Sequence, residues 1–216
     1  MAFALDIRPI FGKYPRIESL DDRFDKHISL KEAYRYLLPT KADGTPDFAS
    51  KAMPILPNSM IWKDSAGRAA PDFDQSPWIN VSAKAKAIIE SAEPDVHEFA
   101  PVAYTYSRGA TEIRFWINVR NRVDSIDGIR SNMVLSNGQW LPPRDLLRNG
   151  EPLPHGIDPE IPPNLVFRSE AVGPFHMWVD PYLSNSSVFI SDALAERFRA
   201  GNITGLAWES AKVEEV

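Results

Sequence analysis

The stretch Trp78 to Val102 reads WINVSAKAKAIIESAEPDVHEFAPV, and Glu112 to Arg120 soon follows as EIRFWINVR. The first divides into a short strand, a helix of about 10 residues, a break at Pro94 and a second extended run. Ser82 stands where its hydroxyl can take up an amide left free at the helix start. Ala85, Ile88, Ile89 and Ala92 then recur on one helix face. EIRFWINVR alternates: Ile113, Phe115, Ile117 and Val119 point one way, and Glu112, Arg114, Asn118 and Arg120 the other. Trp116 alone breaks the polar face. A short helix between strands, followed by an alternating strand, predicts an α+β fold: a mainly antiparallel sheet system with a few short helices.

Toward the C-terminus, VDSID (Val123 to Asp127) leads into a turn at Gly128. Asn137-Gly138 predicts a hairpin between Met133–Ser136 and Gln139–Leu141, because both residues tolerate positive φ. Residues 142–163 carry seven prolines and read as a long surface connection with one helical turn at Arg144–Arg148. Leu165–Arg168 and Phe175–Val179 read as strands, and Gly173-Pro174 makes them hairpin partners. Ser186 to Glu209 repeats the opening pattern: strand, Ser191 cap, helix, a break at Gly201-Asn202, strand. Val81-Ser82 and Ile190-Ser191 thus stand at equivalent points. Two readings remain open, a common local solution or a duplication giving two similar strand-helix-strand halves.

Toward the N-terminus, SLKEAYRYLL (Ser29 to Leu38) predicts a helix. Ser29 and Glu32 have capping-box spacing, Leu30, Tyr34, Leu37 and Leu38 form an apolar stripe, and Pro39 stops it. Residues 40–76 read mainly as loop, with a short strand at Ser59–Trp62. The expected division is 1–70, a helix and proline-rich extension packed on the core, and 71–216, the α+β domain.

The 216 residues include 24 Lys+Arg against 29 Asp+Glu, a net charge of −5, and no cysteine. That composition excludes disulfides, cysteine-ligated metals and thiol nucleophiles. The negative balance argues against general nucleic-acid affinity. Asp6 and Arg8 interrupt the apolar start, and no run approaches the roughly 18 apolar residues of a spanning helix. The expectation is a cytoplasmic protein with no membrane segment.

Common catalytic patterns are missing. His27, His97, His155 and His176 include no pair spaced to put two imidazoles on one helix face. No G-x-S-x-G elbow, phosphate loop or G-x-G-x-x-G occurs. Asp124 and Asp127 are the nearest acid–base candidates, but at a strand end such residues more often cap a turn. His176 reads as a hydrogen-bonded structural histidine. Trp116 and Trp178 have two readings, burial beneath a covering element or contact with a partner. Acidic residues gather at Asp21, Asp22 and Asp25 and at Glu93, Asp95 and Glu98, a pattern suited to a basic protein partner. The candidate partner-binding residues are Trp116, Asp124, Asp127, Trp178 and Glu98, with no catalytic, cofactor or metal-binding residue assigned.

Several blocks occur in a familiar order: PDF (Pro71–Phe73), VSAKAKAIIESAEPDVHEFAPV (Val81–Val102), INVRNRVDSIDG (Ile117–Gly128), NLVFR (Asn164–Arg168) and FISDALAERFRAGNITGLAWE (Phe189–Glu209). Their order and the Thr204-Gly205-Leu206 ending resemble immunity protein family 11 of bacterial polymorphic-toxin systems, over about residues 70–210. The resemblance implies a small cytoplasmic protein that binds and neutralises a cognate toxin domain, with no catalysis and no cofactor. It also implies that the shared residues are fold determinants and that toxin contacts lie elsewhere. Two rival classes are an enzyme whose histidine and carboxylate site assembles in space, and an adaptor domain of a secretion-associated assembly. A deep pocket joining two or more of His97, His176, Asp124, Asp127 and Glu98 would favour the enzyme.

Overall fold

In a computed structural model, the structure describes residues 2–4, 6–7, 16–20, 41–42, 47, 56–63, 68–75, 78–162, 164–183, 188–207 and 214–215. The helix expected at Ser29–Leu38 lies outside the described residues. In chain order the early elements are β1 (Ala2–Ala4), β2 (Asp6–Ile7), β3 (Arg16–Ser19), β4 (Ser59–Lys63), β5 (Phe73–Gln75), β6 (Ile79–Val81), α1 (Ala83–Ala92), β7 (Glu98–Tyr106) and β8 (Thr111–Asn118). Then come β9 (Val134–Ser136), β10 (Gln139–Leu141), α2 (Pro143–Arg148), β11 (Val166–Phe167), α3 (Ser169–Val172), β12 (Met177–Val179), β13 (Val188–Ser191), α4 (Asp192–Ala200), β14 (Leu206–Ala207) and β15 (Glu214–Glu215). Mostly antiparallel strands and, among the described residues, four short helices make this an α+β fold. The chain forms two compact units: Asp6–Arg120 with Glu196–Ala207, and Met1–Leu5 with Asn121–Ala195 and Trp208–Val216.

The first unit is built on a six-stranded sheet in the order β3-β4-β7-β8-β6-β5. All its neighbours are antiparallel except β4 and β7. Strands from both sides of residue 70 share this sheet. Ser82 caps α1 as its sequence predicts, accepting from the Ala85 amide at 3.1 Å. Helix α1 lies over one sheet face, where the Lys86 ammonium sits 5.0 and 5.3 Å from the Phe99 and Phe115 ring centroids.

The opposite face of β8 is buried as well as the apolar one, where Ile117 is 1% exposed. Arg114, Trp116 and Asn118 are each only 1% exposed, whereas Ile113 on the apolar side is 52% exposed. The reason is hydrogen bonding from the proline-punctuated segments. The Trp116 indole donates to the Pro57 carbonyl at 2.6 Å, and the Arg114 guanidinium donates to the carbonyls of Pro71 and Asp72. These loops cover a sheet face, and their carbonyls accept what the polar side of the strand offers. Met60, Trp62, Val102, Tyr104 and Trp116 form the core beneath them.

In the second unit, β13 lies between β1 and β12 in a three-stranded antiparallel sheet. Strands β9 and β10 form the hairpin predicted at Asn137-Gly138, whose φ angles are +49° and +75°. The helical turn expected at Arg144–Arg148 is α2. The expected hairpin between Leu165–Arg168 and Phe175–Val179 does not form. Residues 169–172 wind into α3, so β11 pairs with β15 and β12 with β13. Phe167, Trp178 and Phe189 pack ring on ring, with centroids 4.7 to 5.9 Å apart. Around them lie Ile126, Met133, Val172 and Leu183.

The resemblance between the two strand–Ser–helix segments is local. Ser191 caps α4 through the Leu194 amide, as Ser82 caps α1. Yet β6 and β7 both join the six-stranded sheet, whereas β13 and β14 join different sheets.

Gly205 fixes the segment after α4. Its φ is +89°, and a Cβ there would run into the backbone carbonyl of Phe73. Gly138, at φ +75°, faces open space. Gly138→Ala should therefore cost about 1 kcal/mol for the left-handed backbone alone. Gly205→Ala should cost at least about twice that, because strain and collision add. Urea unfolding of both variants measures the difference; equal losses would show that the close approach to Phe73 contributes nothing.

Candidate partner-binding surfaces

In the first unit, three sequence blocks meet at Asp72. Its carboxylate accepts from the Ser82 hydroxyl at 2.6 Å, and from the Thr204 amide and hydroxyl at 3.0 and 2.9 Å. Desolvation raises this carboxyl's pKa, but the Ser82 and Thr204 donors, helped by the Lys84 charge, outweigh it and leave the pKa below the ordinary 3.8. The buried Arg114 guanidinium adjoins the same loop and also donates to Asn80 Oδ1 and, at 3.5 Å, to Glu112. It lies 5.3 Å from the Tyr104 ring centroid. The Tyr104 hydroxyl donates to Asp74 at 3.0 Å, and burial with the Asp74 charge pushes its pKa well up. Desolvation and the bond to Glu112 raise Tyr106 to about 12. All these groups act on one another, an arrangement that orders a loop.

His97 and Glu98 are likewise committed. His97 Nδ1 accepts the Arg120 amide at 3.3 Å, so Nε2 carries the hydrogen that faces Glu93 Oε2 at 2.8 Å. The imidazole is fully buried. Glu98 accepts from Asn118 Nδ2 at 3.0 Å and pairs with Arg120, its side chain 38% exposed. A hollow at the end of the sheet is lined by Trp62, Arg68, Ala69, Tyr106, Ser107, Arg108 and Ala110. None of the histidines or carboxylates proposed for an assembled enzyme site lines it.

In the second unit, the VDSIDG segment is organised by Asp180. This buried carboxylate accepts from the Ser125 amide and hydroxyl, the Ile126 amide and the Tyr182 amide, at 2.8 to 3.2 Å. Burial pushes its pKa up against the pull of those donors. Asp124 pairs with Arg168 at 3.0 Å. Asp127 caps the next turn, accepting the Arg130 amide at 3.1 Å. His176 Nδ1 meets the Ser191 hydroxyl at 2.8 Å, and His155 is exposed.

The five partner-binding candidates therefore separate. Asp124, Asp127 and Glu98 reach the surface. Trp116 and Trp178, each 1% exposed, take the buried alternative and present no face to a partner, because loop carbonyls cover one and the Phe167–Phe189 cluster encloses the other. The sequence reading missed Ile129 and Ile161, which are 82% and 54% exposed. The signal was available: single isoleucines within the turn-forming stretches DGIRSN and PEIPPN.

Among the described residues, no group of three or more His, Cys, Asp or Glu side chains is placed to hold a metal ion. No described helix is long and apolar enough to cross a membrane.

Asp72 gives a pH-dependent prediction. Its folded pKa lies below its unfolded one, so its stabilisation is complete above the ordinary 3.8 and fades as pH falls through the folded value. Asp72→Asn should cost about 1–3 kcal/mol near neutrality, by leaving donors unmatched. Denaturation profiles of the two proteins should converge below pH 4; a gap that stays constant with pH would contradict this role.

No curated protein matches the chain. The model of the immunity protein family (Imm11) matches residues 12–213, nearly its whole length and including every block that meets at Asp72, so the chain belongs to this immunity protein family.

Proposed function

We propose that this protein protects a bacterial cell by binding and neutralising a cognate toxin domain of a polymorphic-toxin system. The family match over residues 12–213 carries the reading. Binding occurs in the cytoplasm, by protein–protein contact, and blocks the toxin's active site or substrate surface without catalysis or a cofactor. The net charge of −5 supports a basic partner, since complementary charge raises the rate of encounter.

Asp124, Asp127 and Glu98 are the proposed charged contacts from the original candidates. Trp116 and Trp178 act beneath the surface, holding the elements that present them. Affinity then depends on an apolar anchor as well, because charged rim contacts alone contribute little.

Co-expression tests the proposal. A toxin domain encoded beside this gene should stop growth when induced alone and should be tolerated when this chain is made with it. The two should also co-purify. Unchanged toxicity, with the chain folded and abundant, would overturn the reading.

A further inference from the structure

The second unit contains a preorganised apolar feature with no role in its own core. Residues 127–133 form a turn closed by Ser131 N–H to Asp127 C=O at 2.9 Å, Asn132 N–H to Ile129 C=O at 3.1 Å and Met133 N–H to Gly128 C=O at 2.8 Å. Asn132, at φ +50° and 9% exposed, ties this turn to a second one. Its Nδ2 donates to the carbonyls of Asp158 and Ile161, each at 2.7 Å, and its Oδ1 accepts the Asp158 amide at 3.2 Å. One buried side chain thus fixes two turns, and each turn presents an exposed isoleucine.

The backbone and Asn132 close these turns, so neither isoleucine is needed to form them. At 82% exposure Ile129 gains almost nothing from burial in this chain. A rigid apolar projection loses little conformational entropy on binding, which favours its use as an anchor. The surrounding charge specifies the partner. Residues 127–132 and 158–161 carry Asp127, Asp158 and Glu160 against Arg130. Asp127 and Asp158 accept backbone amides and have no ion pair among the described residues. The wider segment 121–183 has eight carboxylates and five arginines, 5 − 8 = −3.

We infer that these paired turns are the docking surface for a basic polypeptide, with Ile129 and Ile161 entering an apolar cleft and Asp127 and Asp158 meeting its cations. This rests on the immunity reading and locates its contact. The occupant is the toxin itself.

The test uses full-length chain and a catalytically silenced form of the toxin domain encoded beside the gene, titrated by calorimetry. Ile129→Asp with Ile161→Asp should weaken binding about 100-fold or more, and Ile129→Ser alone about 10-fold. Ile113→Asp, at an exposed position near the start of β8, should stay within about threefold of wild type. Thermal melts should match wild type for Ile129→Ser, which removes a side chain that packs on little. Wild-type affinity in the double variant would overturn the docking surface and leave the immunity function standing. Absence of binding by the wild-type chain would overturn both.

Discussion

The first unit depends on a guanidinium in its interior. Arg114 is 1% exposed in the middle of a strand, and an ion in that position costs several kcal/mol unless its donors are matched. Apart from Glu112 at 3.5 Å, its matches come from outside the strand: the carbonyls of Pro71 and Asp72, Asn80 on a neighbouring strand, and the face of Tyr104. The guanidinium thereby fixes where the Pro71–Phe73 loop must lie. Once that loop is placed, the Asp72 carboxylate can reach both the cap of α1 and Thr204. Gly205 then supplies the backbone conformation that lets the chain pass against Phe73. Local helix capping and a long-range loop closure are settled by one hydrogen-bonded group.

Much of this was legible in the sequence. Period-2 alternation located β8, a serine before an apolar stripe located the cap of α1, and Asn137-Gly138 located a hairpin, because each is a local preference of the backbone. What stayed hidden was non-local. Alternation identifies two faces but does not say that both are covered. Arg114 is buried on the polar one because loops distant in sequence bring carbonyls to it, and Asn118 beside it donates to Glu98 on the neighbouring strand. The misjudged hairpin at Gly173-Pro174 has the same origin: a turn signal does not reveal that the preceding four residues close a helix and that each strand finds another partner. The candidate surface was partly legible. Asp127 was visible as a turn cap, but the pairing of its turn with residues 158–161 depends on Asn132, whose role needs three dimensions.

Scaffold and recognition fall on different residues in this picture. The blocks that meet at Asp72 supply caps, strand cores and a close-approach glycine, and Asp72, Ser82, Arg114 and Thr204 are consumed in satisfying one another. Replacing side chains engaged in that way costs stability, because it leaves their partners unmatched. Ile129, Ile161, Asp127 and Asp158 sit on turns closed by backbone and by one buried asparagine. Of these, the Ile129 and Ile161 side chains make none of the bonds that close the turns, so their identity can change while the turns persist, as the proposed matching to one partner would require.

Hydrogen–deuterium exchange of the full chain, with and without the silenced toxin domain, tests this separation most directly. Toxin should bring new protection within residues 127–133 and 158–161, while amides around Asp72, Ser82 and Thr204 exchange at the same rate in both states. Protection confined to the Asp72 region, with the paired turns unchanged, would contradict it.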